Sequence, residues 1–151
     1  MKIILWLPLI FISNNIFAEE YILRCKGEEI KRIEGEISSQ RLEVKVIGIQ
    51  IYREGMMVNG EWFDSESDKT EDYLLEGSYL ITTDNITGAR NFSTTSLIEG
   101  REIQTVKIDK VEINTLTNDI FWTHEFNRVD KTNLEANTIY AFRKNFKGKC
   151  K

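Results

Sequence analysis

The chain is poor in the residues that most chemistry needs. It has one histidine, two cysteines and one proline in 151 residues. One histidine without a Cys-x-x-Cys excludes the common structural zinc sites. One proline and nine glycines exclude a linker-rich or low-complexity chain. Basic residues are not in excess, with 20 Lys and Arg against 24 Asp and Glu and a net charge of -4. Without Lys2 the balance becomes 19 − 24 = -5. Such a chain has no electrostatic footprint for nucleic acid. Gly-x-Ser-x-Gly and His-Glu-x-x-His are also missing.

The only long apolar run lies at the start. Met1-Lys2 is followed by Ile3–Ile12, then Ser13-Asn14-Asn15 and Ile16-Phe17-Ala18 before Glu19-Glu20. That order predicts a signal peptide over 1–18, cleaved after Ala18, and a single domain over 19–151. The run is shorter than the ~20 apolar residues a spanning helix needs, so no membrane span is expected after cleavage. Small residues do not precede Cys25, which argues against lipoprotein processing. The expected location is periplasmic or secreted.

What remains reads as β structure. Tyr21–Cys25 is short and strand-like. Glu28–Gln40 is open between a short helix and an irregular hairpin, because Ile30, Ile33 and Ile37 have helical spacing around Gly35. Leu42, Val44 and Val46 alternate with Glu43 and Lys45, and the apolar phase then switches to Ile47, Ile49 and Ile51. A switch at Gly48 predicts a bulge or bend. A second slip is expected near Asp109-Lys110, and Gly77 is a third place for curvature. Asn59-Gly60 between Met56–Val58 and Glu61–Phe63 is a hairpin signal. Further alternation marks Tyr73–Thr83, Ala89–Leu97, Glu102–Asn114, Ile120–Phe126 and Thr138–Phe146. The expectation is an all-β, antiparallel barrel or sandwich of about seven or eight strands, with at most one short helix.

Cys25 and Cys150 frame nearly the whole domain. In an exported chain two cysteines with no odd thiol favour one intramolecular disulfide.

Few residues are candidates for a site. His124 sits mid-strand between aromatic neighbours, and no nucleophile motif accompanies it, so a packed or half-exposed histidine is the favoured reading. Asp64, Glu66 and Asp68 alternate like the first calcium ligands of an EF-hand. Lys69 stands where that loop needs glycine and Leu75 where it needs glutamate, so a solvated loop is favoured and no metal is assigned. Trp62, Tyr79, Trp122, Phe126, Tyr140 and Phe142 fall on faces that can line a cavity or fill a core. Asn85-Ile86-Thr87 and Asn91-Phe92-Ser93 are formal glycosylation sequons, read as chance matches in a bacterial composition. Arg143, Lys144, Lys147, Lys149 and Lys151 gather basic charge near the end.

Cys25-Lys26-Gly27, Gly148-Lys149-Cys150 and the turn Ile113-Asn114-Thr115-Leu116-Thr117-Asn118 together resemble small uncharacterised exported (periplasmic) proteins of Gram-negative bacteria. That group often has Ile-Asn-Arg-x-Thr-Gly at the turn, from which Thr115 and Asn118 depart. The resemblance carries no activity over. Thr87-Gly88-Ala89-Arg90-Asn91-Phe92 is similar to the loop by which periplasmic lysozyme-inhibitor barrels enter the lysozyme cleft. It implies an exposed inhibitory loop at Thr87, Gly88, Ala89 and Arg90. Gly60-Glu61-Trp62 is similar to the Gly-x-Trp of lipocalins, although it falls too late in the chain.

The sequence therefore points to an exported non-catalytic β-protein, binding or structural in the periplasm, with no cofactor. The alternatives are an inhibitor of a lysozyme-like hydrolase and a lipocalin-like carrier of a small apolar ligand. The partner is an unknown protein or small ligand, and the sequence leaves the oligomeric state open.

Overall fold

The computed structural model describes residues 21–34, 39–133 and 136–151. The expected signal peptide and residues 35–38 lie outside them. Ten strands follow in chain order: β1 (Tyr21–Glu34), β2 (Ser39–Ile51), β3 (Met56–Val58), β4 (Glu61–Phe63), β5 (Ser67–Lys69), β6 (Tyr73–Ile81), β7 (Asn85–Ile98), β8 (Arg101–Asn114), β9 (Asp119–Asp130) and β10 (Asn137–Cys150). They form one antiparallel sheet in the order β4-β3-β2-β1-β10-β9-β8-β7-β6-β5. The all-β expectation holds, with ten strands in place of seven or eight. The arrangement is a curled half-barrel and not a two-sheet sandwich. Glu28–Gln40 resolves as a hairpin: β1 runs to Glu34 and returns as β2 from Ser39, with Ile33 opposite Ser39.

The outermost strands of the sheet, β4 and β5, are separated in the chain only by Asp64–Glu66. This short link bonds to β6, with Gly77 N donating to Glu66 O at 2.7 Å and Tyr79 N to Ser65 Oγ at 3.1 Å. The stretch 61–69 therefore carries one margin of the sheet over to the other and closes the curl at that end. Gly77 is required there, because a Cβ would lie 2.6 Å from both Asp64 O and Glu66 O. Its role is close approach, where the sequence had suggested curvature.

The core fills this closed end. Ile47, Ile49, Ile51, Met56, Val58, Phe63, Ile86, Val111, Ile113, Ile120, Trp122 and Phe146 pack with the disulfide, and Leu23, Tyr79 and Ile81 pack against them. Burial of aliphatic and aromatic side chains at ~25 cal/mol per Å² supplies the main driving force. Gly88 belongs to this packing: a Cβ there would meet Met56 Cε at 2.5 Å and Phe63 Cβ at 3.0 Å.

Turns follow local chemistry. Asn59 (φ 50°) and Gly60 (φ 89°) adopt the left-handed conformation that a two-residue hairpin loop needs, with Val58 opposite Glu61. Glu99 and Gly100 do the same between β7 and β8. Asn114 Oδ1 accepts from the backbone N–H of Leu116 and Thr117, fixing the turn into β9.

Neither of two expected breaks in the strands is a bulge. Register runs without a break through Gly48, which lies opposite Arg24. It also runs through Asp109-Lys110, which lie opposite Arg90-Ala89. In β2 the apolar pattern switches because Leu42, Val44 and Val46 face outward while Ile47, Ile49 and Ile51 face the core. In β8 the break in pattern is an inward-pointing, fully buried Asp109.

Candidate functional site

Beyond the closed end the long strands continue as an open trough. Its inner face begins at a transverse row of cross-strand neighbours, Arg90, Asp109, His124, Lys144 and Lys31, one from each of β7, β8, β9, β10 and β1. Asp109 has no exposure to solvent. A buried carboxylate needs partners, and it has two: Oδ1 lies 2.5 Å from His124 Nδ1, and Oδ2 accepts from Arg90 at 3.4 Å. Arg90 also donates to Glu61 Oε2 at 2.5 Å and to Trp62 O at 3.2 Å, tying β7 to β4. Burial works against the Arg90 charge, but hydrogen bonds to Glu61 and the field of Asp109 outweigh it and raise its pKa.

The next row is aromatic. Phe142 stacks on Phe126 at 5.4 Å and on His124 at 5.3 Å, and Tyr140 meets both phenyl rings edge-on. Phe92 and Tyr73 continue the surface on β7 and β6. Lys31 and Lys144 both place their ammonium groups over Phe142, and Lys107 does so over Phe92. None of the ion pairs among the described residues includes these lysines. An ammonium over a ring face is attracted to it, and its remaining N–H groups are free to meet an anion.

Two clefts flank the aromatic row. One of about 310 Å³ is lined by Glu29, Lys31, Ile33, Arg41, Glu43, Lys45 and Lys144. The other, of about 380 Å³, includes Glu61, Tyr73, Leu75, Arg90, Phe92 and Lys107. In the first, Lys45 Nζ donates to the buried Glu29 carboxylate, which raises the Lys45 pKa against the effect of burial. Beneath the trough, the buried Trp122 Nε1 has no acceptor among the described residues.

The sequence candidates divide. Phe126, Tyr140 and Phe142 come together in the trough. Tyr79 and Trp122 belong to the packed core; the Tyr79 hydroxyl donates to Tyr52 O at 2.8 Å, and burial, with Glu54 nearby, pushes its pKa up to about 12. Trp62 lies beside Tyr52, and its Nε1 donates to Asp64 Oδ2 at 2.6 Å. Thr87, Gly88, Ala89 and Arg90 are not on a loop. They lie inside β7, paired on both sides, because their neighbours continue the alternation of a central strand. Asp64 Oδ1 accepts from Glu66 N at 3.0 Å, and Asp68 is paired within β5 opposite Leu75. No cluster of three metal-ligating side chains exists among the described residues. Cys25 and Cys150 form the disulfide.

Sequence reasoning missed Asp109, Lys31 and Lys107 as site residues, and it named Lys144 only within the basic cluster near the end. Asp109 left a signal, as the charged position that broke the alternation of its strand.

Comparison of the chain with protein-family models, curated proteins and solved structures returns no match.

Proposed function

We propose that this is an exported, non-catalytic binding protein whose ligand surface is the open trough, and that the ligand is an amphipathic anion with an apolar or aromatic body. The observation that carries the reading is the placement of both Lys31 and Lys144 over the Phe142 ring without a carboxylate partner among the described residues. In a chain of net charge -4, cations left unpaired on an aromatic floor favour an anion whose body covers the rings. The disulfide fits an oxidising compartment.

Other readings draw less support. The Asp109–His124 pair has the form of a base and its orienting carboxylate. No hydroxyl or thiol hydrogen-bonds to His124 among the described residues, and both cysteines are bonded to each other. A lysozyme-inhibitor reading needs Arg90 free to enter a cleft, whereas its guanidinium holds Glu61, Asp109 and Trp62. A lipocalin-like carrier needs an apolar cavity in the closed end, where Phe63, Phe146 and Met56 are fully buried against one another's surroundings.

Equilibrium titration with two fluorescent probes of similar size tests the proposal. These are an anilinonaphthalene sulfonate and the uncharged phenylnaphthylamine. Saturable binding of the sulfonate is expected, with weaker binding of the neutral probe. Phe142→Ala and Lys144→Glu should each weaken the sulfonate at least tenfold. Equal affinity for both probes would refute the anion class, and no saturable binding of either would refute the trough as a ligand surface.

A further inference from the structure

We propose that the free edge of β2 pairs with the same edge of a second copy of this chain, in one register centred on Val44.

The edge is open, and its outer face is apolar. β3 pairs only with Ile49–Ile51, and Asn59 N donates to Gly48 O at 2.9 Å. From Gly48 back towards Ser39, no described strand lies on the side of β2 away from β1. Along that length Leu42, Val44 and Val46 are 59%, 69% and 49% exposed on the outer face. A row of unpaired backbone groups beneath an exposed apolar face is a template for another strand.

The hydrogen-bonding direction can be read from the far side of the sheet. Arg24 and Lys151 exchange backbone hydrogen bonds at 3.0 and 3.1 Å, so even-numbered residues of β1 turn their polar groups towards β10. Odd-numbered residues of β1 then face β2, where Cys25 meets Ile47. In β2 the odd residues point back at β1, and the even ones point at the open edge. The N–H and C=O of Leu42, Val44 and Val46 are thus free on the edge, and the same three residues carry the exposed apolar side chains.

The occupant is chosen by charge. Arg41, Glu43 and Lys45 alternate with the apolar residues, in the order positive, negative, positive. Two copies related by a two-fold axis pair antiparallel, and three registers set at least two of the three apolar residues against apolar residues of the second copy. Centring on Glu43 sets it against its own copy and Arg41 against Lys45. Centring on Lys45 sets two ammonium groups together. Only centring on Val44 is free of like pairs: Leu42 then faces Val46 of the second copy, Val44 faces Val44, and Glu43 faces Lys45 twice. Opposite charges directly across a ladder stabilise and like charges oppose it. The edge is therefore complementary to itself in one register, which an isologous dimer requires.

Sedimentation equilibrium of the full chain, disulfide intact, tests this over a hundredfold concentration range. Twice the mass of one chain is expected. Val44→Lys and Glu43→Lys change side chains that stand outside the packed core, and each should return the protein to the mass of one chain with unchanged circular dichroism. Val44→Pro, which removes an edge N–H, should do the same. A single-chain mass throughout would overturn the proposal and leave the edge to a strand of another protein. A dimer indifferent to Val44→Lys and Val44→Pro would place the interface elsewhere, and one indifferent to Glu43→Lys alone would overturn the register.

Discussion

Cys25 and Cys150 face each other directly across β1 and β10, with Cα atoms 3.9 Å apart and 125 residues between them in the chain. Two residues further along, Gly27 faces Gly148. The early Cys-x-Gly and the late Gly-x-Cys are thus mirror images brought into register by antiparallel pairing. A Cβ on Gly148 would lie 2.6 Å from Lys26 O and 2.9 Å from the Phe146 ring, so the glycines let the two backbones approach beside the disulfide. The first and last strands become central neighbours, and the bond holds that seam.

Breaking the seam covalently should cost stability while leaving the fold. The loop closed by the disulfide is long, and the chain-entropy relation gives about 4–5 kcal/mol for such a closure. Cys25→Ser with Cys150→Ser should lower the urea-unfolding free energy by about that amount, with β-type circular dichroism retained before the transition. An unchanged midpoint would count against it.

Arg90→Met should destabilise by about 3–5 kcal/mol, because it leaves a buried carboxylate with His124 as its only partner. Adding Asp109→Asn removes the uncompensated charge and should recover a good part of the loss. A double-mutant cycle by denaturant unfolding measures both, and simple additivity would contradict the coupling.

Gly88→Ala should cost about 1–3 kcal/mol through overpacking against Met56 and Phe63. Gly48→Ala is the control, since nothing lies within 4 Å of its Cβ position. Comparable losses in the two variants would contradict the packing argument.

The buried Tyr79 phenol should titrate late. Its pKa in the fold is about 12 against 10.0 for the free side chain, with burial as the leading cause. The folded state therefore holds its proton where the unfolded state has lost it. The stabilising contribution is present in full below about pH 10 and is lost as pH rises through about 12. Phenolate absorbance of the folded protein should show one late step, absent in Tyr79→Phe, and that variant should lose less stability between those pH values.

Much of the fold was legible because its signals are local. Asn59-Gly60 marks its hairpin by the conformation those residues tolerate, and alternation in Tyr73–Thr83 or Ile120–Phe126 marks strands. Leu42–Val46 shows where this reading stops. Alternation says that two faces differ, but not which one turns inward, and here the charged face does. Glu29 and Lys45, 16 residues apart, satisfy each other there. The breaks at Gly48 and Asp109 were visible as well, yet they mark a change of exposed face and a buried charge in unbroken strands. The trough was half visible: Phe126, Tyr140 and Phe142 stood out as aromatics, whereas the lysines over the rings looked like ordinary surface charge.

By itself, then, the sequence determined the class of the fold, the sites of its turns and the identity of its covalent link. These depend on side-chain period, on backbone conformation at single residues and on the presence of only two thiols. The tertiary structure alone decided the strand order, the closure of the curl through Asp64–Glu66, the burial of Asp109 between Arg90 and His124, and the cation-bearing aromatic trough. Each of these depends on which distant strand becomes a neighbour, and that is fixed only when the whole sheet curls and its first and last strands meet.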